Sequence, residues 1–469
     1  MNYRFRECTL DQPMLLSPSI QDWLPENHLA RFVADVTEQL DLSKILREYE
    51  RRDGRGQAGY HPLMLTRLLL YGYAVGVASS RIIERKTYED VAFRYLAADQ
   101  HPDHDTIAAF RQRHLQTLAG LFMQTLRLCQ KAGLVKLGHV AIDGSKLQAN
   151  ASKHKAMSYG RMVETEQKLQ AEVEELLRRA QETDAQEDQQ YGKGKRGDEL
   201  PDELARRASR LKKIREAKAE LEAEARAEAE QKKTAAEAKI AERHAQAERT
   251  GRKPGGRDPQ VPDPEQVVPE EKAQKNFTDP ESRIMPDGGR KGSFVQGYNA
   301  QIAVDSAAQI IVAAAVTQQT NDKRQLAPML KQTMQNVGAK PAAVSADAGY
   351  FSEEQVTDGQ AQGIDLYVAT GKQKHGEPTP GESIAVTPAA DDNSALEQMK
   401  KKLKTEAGQA IYKMRKAIVE PVFGQIKEWR RFRRFSMRGL DQVNAEWILI
   451  CLTHNLSKLF RSGWNPRTA

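Results

Sequence analysis

Two short apolar runs, HVAID at 139–143 and AVSAD at 343–347, each close on an aspartate followed by small residues. Gly144 follows the first, and Ala348 and Gly349 follow the second. Runs this short and this apolar, bounded by small residues, predict buried strands with a carboxylate at the strand end. One such aspartate is most often a turn or cap residue. Two of them can converge where the strands share a sheet, and that constrains the chain more than any other feature.

The rest of the chain divides by pattern. Its 469 residues suffice for about three domains. Residues 1–135 read as helical, with starts at Asp41-Leu-Ser-Lys, at Pro62, and at Thr87 with Asp90 as a capping box. A further helix is predicted from Thr106, with Arg111, Arg113 and His114 as a basic face. Short helices and tight turns predict a helix-turn-helix-like DNA-reading module, against the alternative of an ordinary helical bundle. In 155–250 Ala, Glu, Lys, Arg and Gln dominate. Met162, Leu169, Val173 and Leu176, then Leu204, Ala208, Leu211 and Leu221, recur at helical spacing on either side of QQYGKGKRGD and Pro201. That pattern predicts an inserted antiparallel helical hairpin or short coiled coil. The prolines of 251–283 predict a linker.

FVQGYNAQIAVD and QIIVAAAV read as antiparallel strands broken at Ser306-Ala-Ala. Helices are expected from Asn321, from Ser352 with Gln355 as a capping box, around 400–430, and from Leu440 to Phe460. Residues 370–398 read as loop. The resulting class is α+β or α/β. Its domains are a helical one at 1–135, a mixed one from 136–154 and 284–469, the hairpin at 155–250 and the linker at 251–283.

Charge points to a polyanionic partner. The net charge is +7, and between 401 and 438 twelve basic residues face three acidic ones. Trp429, Phe432 and Phe435 interleave there with Arg430, Arg431, Arg433, Arg434 and Arg438. Arginines suit phosphates, whereas aromatics at spacing three suit packing of a helix onto the sheet. A membrane span is excluded: Leu63–Val77, the greasiest run, contains Arg67 and falls short of about 20 apolar residues. MNYRFRECTL has no apolar signal region, and Cys8, Cys129 and Cys451 make neither a disulfide framework nor a zinc spacing. A cytoplasmic location is expected.

Paired aspartates can hold Mg²⁺, which prefers carboxylate oxygens and keeps positions open for substrate phosphate. The candidate third carboxylate is Glu420, in IYKMRKAIVEPVFGQIK. Tyr412, Lys416, Glu420 and Lys427 would share a face of a continuous helix, although Pro421 predicts that a helix begins or kinks there. His101 with His104, His139 with His154, and Ser145-Lys146 offer no zinc or nucleophile context. Gly255-Gly256 and Gly288-Gly289 form no phosphate loop.

VAIDGSKLQANASK, GYNAQIAVD, VTQQTNDKRQLAPML, VSADAGYFSEEQ and YKMRKAIVEPVFGQIK together resemble the DDE transposases of bacterial insertion sequences, in particular the branch with a Tyr-Arg-Glu-Lys signature. LSPSIQDWLPENHLARFV, YHPLMLTRLLLYGY and TYEDVAFRYL resemble that family's N-terminal helical domain. The resemblance implies an RNase H-like catalytic core in which Asp143, Asp347 and Glu420 are catalytic and bind two Mg²⁺ ions, with Mn²⁺ able to substitute. It also implies DNA contacts from Tyr412, Arg415 or Lys416, and Lys427; independently of it, the basic pattern offers Arg430, Arg431, Arg433, Arg434, Arg111 and Arg113 as DNA contacts. The signature places three residues between Arg and Glu, but four separate Arg415 from Glu420, so Lys416 holds the usual spacing. Implied partners are terminal inverted repeats, target DNA and a second copy in a synaptic complex. The competing expectations are a catalytically inactive DNA-binding descendant and a structural coiled-coil protein.

Overall fold

The computed structural model describes residues 19–50, 59–191, 202–250, 259–287, 292–361, 363–371 and 394–467. Cys8, Gly192–Pro201, Gly255-Gly256, Gly288-Gly289 and most of the expected 370–398 loop lie outside them. The chain forms two compact units, one from residues up to Leu147 with those from Tyr298 onward, the other from Gln148 to Gly297.

The larger unit opens with helices α1 (Ile20–Trp23), α2 (Leu29–Gln39), α3 (Ser43–Glu50), α4 (Pro62–Ala74), α5 (Ser80–Glu89), α6 (Val91–Leu96) and α7 (His104–Lys131), then strand β1 (His139–Gln148). Pro62 begins α4 as predicted, and the His61 side chain accepts from the Leu63 N–H at 3.1 Å. The expected start at Thr87 is corrected. Thr87 lies in the last turn of α5, and Asp90 starts α6 by accepting from the N–H groups of Ala92 and Phe93 at 3.0 and 3.4 Å. Likewise α7 begins at His104 rather than Thr106, because Asp103 caps it with a 2.8 Å bond from the Thr106 N–H. Its basic face is corrected too. Arg111 and His114 are buried, and Arg111 donates to the Ala78 carbonyl and the Tyr73 hydroxyl, so Arg113 alone of the three is exposed.

The smaller unit contains β2 (Ala156–Ser158), α8 (Tyr159–Tyr191), α9 (Asp202–Thr250), β3 (Gln274–Asn276) and β4 (Arg283–Pro286). Tyr159 donates to Glu222 at 2.8 Å, Glu166 pairs with Arg215 and Lys218 at 2.9 Å, and Glu172 pairs with Arg207 at 2.7 Å. Partner numbers fall along α9 as they rise along α8, so the two helices run antiparallel. Met162, Leu169, Leu211, Ile214, Ala217 and Leu221 bury the seam. Ala208, expected in that seam, is exposed. The stretch expected to be a linker carries structure in its second half. β3 pairs antiparallel with β2, Asn276 donates to the Ser152 carbonyl at 2.8 Å, and buried Lys275 bridges Glu220 and Glu224 at 2.7 Å each. Such buried polar groups hold only with partners, and these have them. β4 pairs antiparallel with residues 294–297, the first of β5 (Phe294–Asp305).

In the larger unit β5 continues into β6 (Ile310–Thr317) through the break at Ser306, antiparallel as predicted. Then come α10 (Leu326–Val337), β7 (Ala343–Ala346), α11 (Glu353–Ala361), β8 (Asp365–Val368), α12 (Ala395–Lys404), α13 (Glu406–Gly424), a π-turn at Gln425–Trp429 and α14 (Leu440–Arg461). The strands lie in the order β6-β5-β1-β7-β8, with β1, β7 and β8 parallel. This mixed sheet flanked by helices is consistent with the RNase H-like core expected from the resemblance. β8 was not predicted, since DLYV is too short to stand out from the loop sequence after it. α10 starts later than Asn321, and the Gln355 side chain accepts from the Ala327 N–H at 3.1 Å instead of closing a capping box. α13 passes through Pro421 without ending. Proline leaves the carbonyl four residues back without its helical donor, and Gln309 donates to that Ala417 carbonyl at 3.1 Å.

The core is centred on α14, where Val443, Trp447, Leu449, Ile450, Leu452, Leu456 and Leu459 are buried. Each such side chain contributes roughly 1.5–3 kcal/mol on burial. Trp447 also donates to the Gln301 carbonyl at 3.0 Å, which fixes α14 against the strand that carries part of the site. Among the described residues no helix is long and apolar enough to cross a membrane.

Candidate active site

Parallel pairing sets Ile142 opposite Ala346, so the next residues, Asp143 and Asp347, leave adjacent strands side by side. Such strands lie about 4.8 Å apart, and a shared register puts both side chains on one face. Asp143 lies within β1 rather than at its end, just past the pairing with β7. Its side chain is 19% exposed, and Arg415 Nη1 stands 3.3 Å from its Oδ2. Burial raises the Asp143 carboxyl, Arg415 lowers it, and the nearby charges of Asp347 and Asp322 raise it again, leaving it pushed up to about 6. Asp347 caps the short turn Ala348–Tyr350 by accepting from the Gly349 N–H at 2.9 Å.

The cations come from α13 and the π-turn. Arg415 is buried, and its guanidinium lies 5.9 Å from the centroid of the half-buried Tyr412 ring. Burial raises the Tyr412 phenol above its ordinary value. Lys416 is exposed, so Arg415 is the cation that meets Asp143. Lys427 donates to the Ser145 hydroxyl, two residues beyond Asp143. A π-turn shifts the helical phase by one residue, and here it carries Lys427 to β1. Glu420 is exposed on α13, and roughly 140° of helix rotation separates it from Arg415. Among the described residues no three acidic, histidine or cysteine groups gather closely enough to hold a metal ion.

Asp322, absent from the predicted set, is drawn in by a polar network. Its Oδ1 accepts from Asn299 at 2.7 Å and Gln301 at 2.8 Å, and Lys146 lies 3.4 Å from Oδ2. Buried Tyr350 donates to the side-chain Oε1 of Gln301, and its phenol is held well above its ordinary value, chiefly by burial and then by Asp322 and Asp143. A side-chain carbon at Gly144 would lie 2.3 Å from Gln301 Nε2 and 2.9 Å from Asp322 Oδ1, so any larger residue there would push this network aside. The alternation of Asn299 and Gln301 in GYNAQ was the available signal for this face. The hard oxygen donors of Asp143 and Asp347, on adjacent strands, suit a divalent cation such as Mg²⁺.

The basic stretch divides in two. Arg430 is buried, donates to Ile450 O at 3.1 Å and Thr453 Oγ1 at 2.9 Å, and loses proton affinity through burial, to about 10. It is therefore corrected from a DNA contact to a structural group. Phe432 stacks on Tyr73 and Phe435 packs edge-on to Trp447, whereas Trp429 is exposed. Arg431, Arg433, Arg434 and Arg438 are exposed on a loop that buried Glu446 clamps by accepting from the N–H groups of Ser436 and Met437 at 2.9 and 3.0 Å. The dismissed histidines have structural partners: His104 pairs with Glu84 at 2.8 Å and His139 meets Ser345 at 2.8 Å.

The family model described as "Transposase DDE domain" matches residues 266–456, and one described as "Transposase domain (DUF772)" matches residues 18–113. No curated protein and no solved structure matches the chain. The first match takes in β3 to most of α14, with Asp322, Asp347 and Glu420, while Asp143 precedes it; the second takes in α1 to α6 and the start of α7. With a transposase domain over its N-terminal helices and a transposase DDE domain after it, the chain belongs to the DDE transposases of insertion sequences.

Proposed function

We propose that this transposase cleaves phosphodiesters at the ends of its element and joins the released 3′ end to target DNA. The observation that carries the reading is the register that sets Asp143 beside Asp347, with Arg415 and Lys427 meeting the same strand. In the first step a water oxygen bonds to phosphorus and the P–O3′ bond breaks, leaving a free 3′-hydroxyl. In the second, that hydroxyl attacks a target phosphodiester in line and displaces the target's own 3′ oxygen.

Asp143, Asp347 and Glu420 are the proposed ligands of two Mg²⁺ ions, replaceable by Mn²⁺. When bound, the metal supplies activation of the attacking oxygen and charge stabilisation of the leaving one. Arg415 holds the Asp143 carboxylate in place. Tyr412, Arg415 and Lys427 fit the Tyr, Arg and Lys of the Tyr-Arg-Glu-Lys branch. Arg431, Arg433 and Arg434 serve as phosphate contacts, and the N-terminal helices read the terminal repeats. The reaction brings two ends together on a homodimer in the cytoplasm. Asp143→Ala, Asp347→Ala and Glu420→Ala are each expected to abolish cleavage of an element-end duplex and to leave its binding intact. Cleavage surviving in any one removes that residue from the site.

A further inference from the structure

The inserted unit holds a cleft of about 760 Å³ lined by α8, α9 and the segment that precedes α8. Six basic side chains line it: His154, Lys155, Arg161, Arg206, Arg210 and Lys213. Among the described residues no acidic one does. All six are exposed, and among the described residues none has a carboxylate within ion-pair distance. Elsewhere on the same two helices the pattern is opposite. Arg207, Arg215 and Lys218 each face a glutamate of α8. The hairpin therefore neutralises the cations on one flank and leaves those of the cleft to repel one another. Arg206 and Arg210 stand one turn apart, where like charges destabilise a helix.

The cations stand on fixed ground. Arg206, Arg210 and Lys213 share one face of α9, beside buried Ile214. Lys155 sits on a short turn tied down on both sides: Asn276 donates to Ser152 O at 2.8 Å, and the Phe277 N–H donates to Lys155 O at 3.1 Å. Arg161 lies in the first turn of α8, which contains no acidic residue and whose backbone dipole adds to the positive field. From Arg206 to Lys213 the helix rises about 10 Å. That matches about three phosphates along one strand of duplex DNA.

We propose that this cleft binds the phosphodiester backbone of duplex DNA as a second DNA-contacting surface, built wholly from the inserted unit. The proposal rests on the transposase reading, which supplies DNA as the polyanion, but assigns the insertion a role that reading leaves open.

The test uses the full chain and a labelled element-end duplex, with affinity measured across a range of salt concentrations. The variant is Arg206→Gln/Arg210→Gln/Lys213→Gln, with far-UV circular dichroism to show that the helices persist. Its control is Lys232→Gln/Lys233→Gln/Lys239→Gln, which removes the same charge from α9 beyond the cleft. The cleft variant should bind at least tenfold more weakly near 0.1 M salt, and its log affinity should fall with log salt by a slope smaller by about 2–3. The control should stay within about twofold of wild type. Unchanged affinity and slope in the cleft variant would overturn the proposal, as would an equal loss in the control. Asp347→Ala should bind as wild type does. Failure of wild type itself to bind the duplex would overturn the DNA reading and this inference together, whereas loss of the cleft alone leaves the former standing.

Discussion

Asp143 shows how one buried carboxylate couples proton binding to stability. Its folded-state value of about 6 exceeds the ordinary 3.8. Between those values the folded chain binds more protons than the unfolded one, so this contribution to stability is full below about pH 4 and is lost as pH rises through 6. Without metal, Asp143→Asn should therefore stabilise the protein at pH 7, by on the order of 2 kcal/mol, and the gain should vanish near pH 4. Thermal melts of both proteins across that range check it, and a variant less stable than wild type at pH 7 would contradict it. Asp143 and Asp347 were legible because an apolar run closing on an aspartate is a local pattern. Asp322 was not, because its place depends on amides from Asn299 and Gln301 that only the strand pairing brings to it. Arg111 and Arg430 misled because a sequence shows a charge without the carbonyls that receive it.

At the scale of the element, the loop from Arg430 to Arg438 separates a structural arginine from surface ones. Arg430 is 2% exposed and holds the carbonyl of Ile450 on α14, so Arg430→Gln leaves buried acceptors unmet. It should cost about 2–4 kcal/mol and several degrees of melting temperature. Arg431→Gln should change stability by less than about 0.5 kcal/mol yet weaken DNA binding and reduce its salt slope by about 1. Denaturant melts and salt-dependent binding on the same two variants separate the roles; similar stability losses in both would contradict the division. The helices themselves were legible from periodicity, but their starts moved to whichever carboxylate caps them, as Asp90 and Asp103 do. Pro421 predicts a helix start or kink, yet α13 runs through it, and the carbonyl it leaves without a helical donor, Ala417 O, accepts from Gln309, a long-range contact no local pattern encodes.

At the scale of the molecule, the alternation of strands and helices around the two aspartates announced the mixed sheet, and the Ala- and Glu-rich composition of 155–250 announced the hairpin. The closing strand β8 and the small strands β2 to β4 stayed hidden, because three or four residues carry too little pattern. A chain that holds Mg²⁺ through its carboxylates only when folded gains stability by mass action. Adding Mg²⁺ should raise the melting temperature of wild type, and Asp143→Asn/Asp347→Asn should lose that response; a response retained in the double variant would place the ion elsewhere. Cleavage of DNA by the Asp143 and Asp347 pair is expected to depend on both carboxylates. Wild type and Asp347→Ala are incubated with Mg²⁺ and a labelled duplex bearing the DNA that flanks the gene. Discrete cleavage by wild type, with binding but no cleavage by Asp347→Ala, is the predicted result; equal cleavage by both proteins would contradict it.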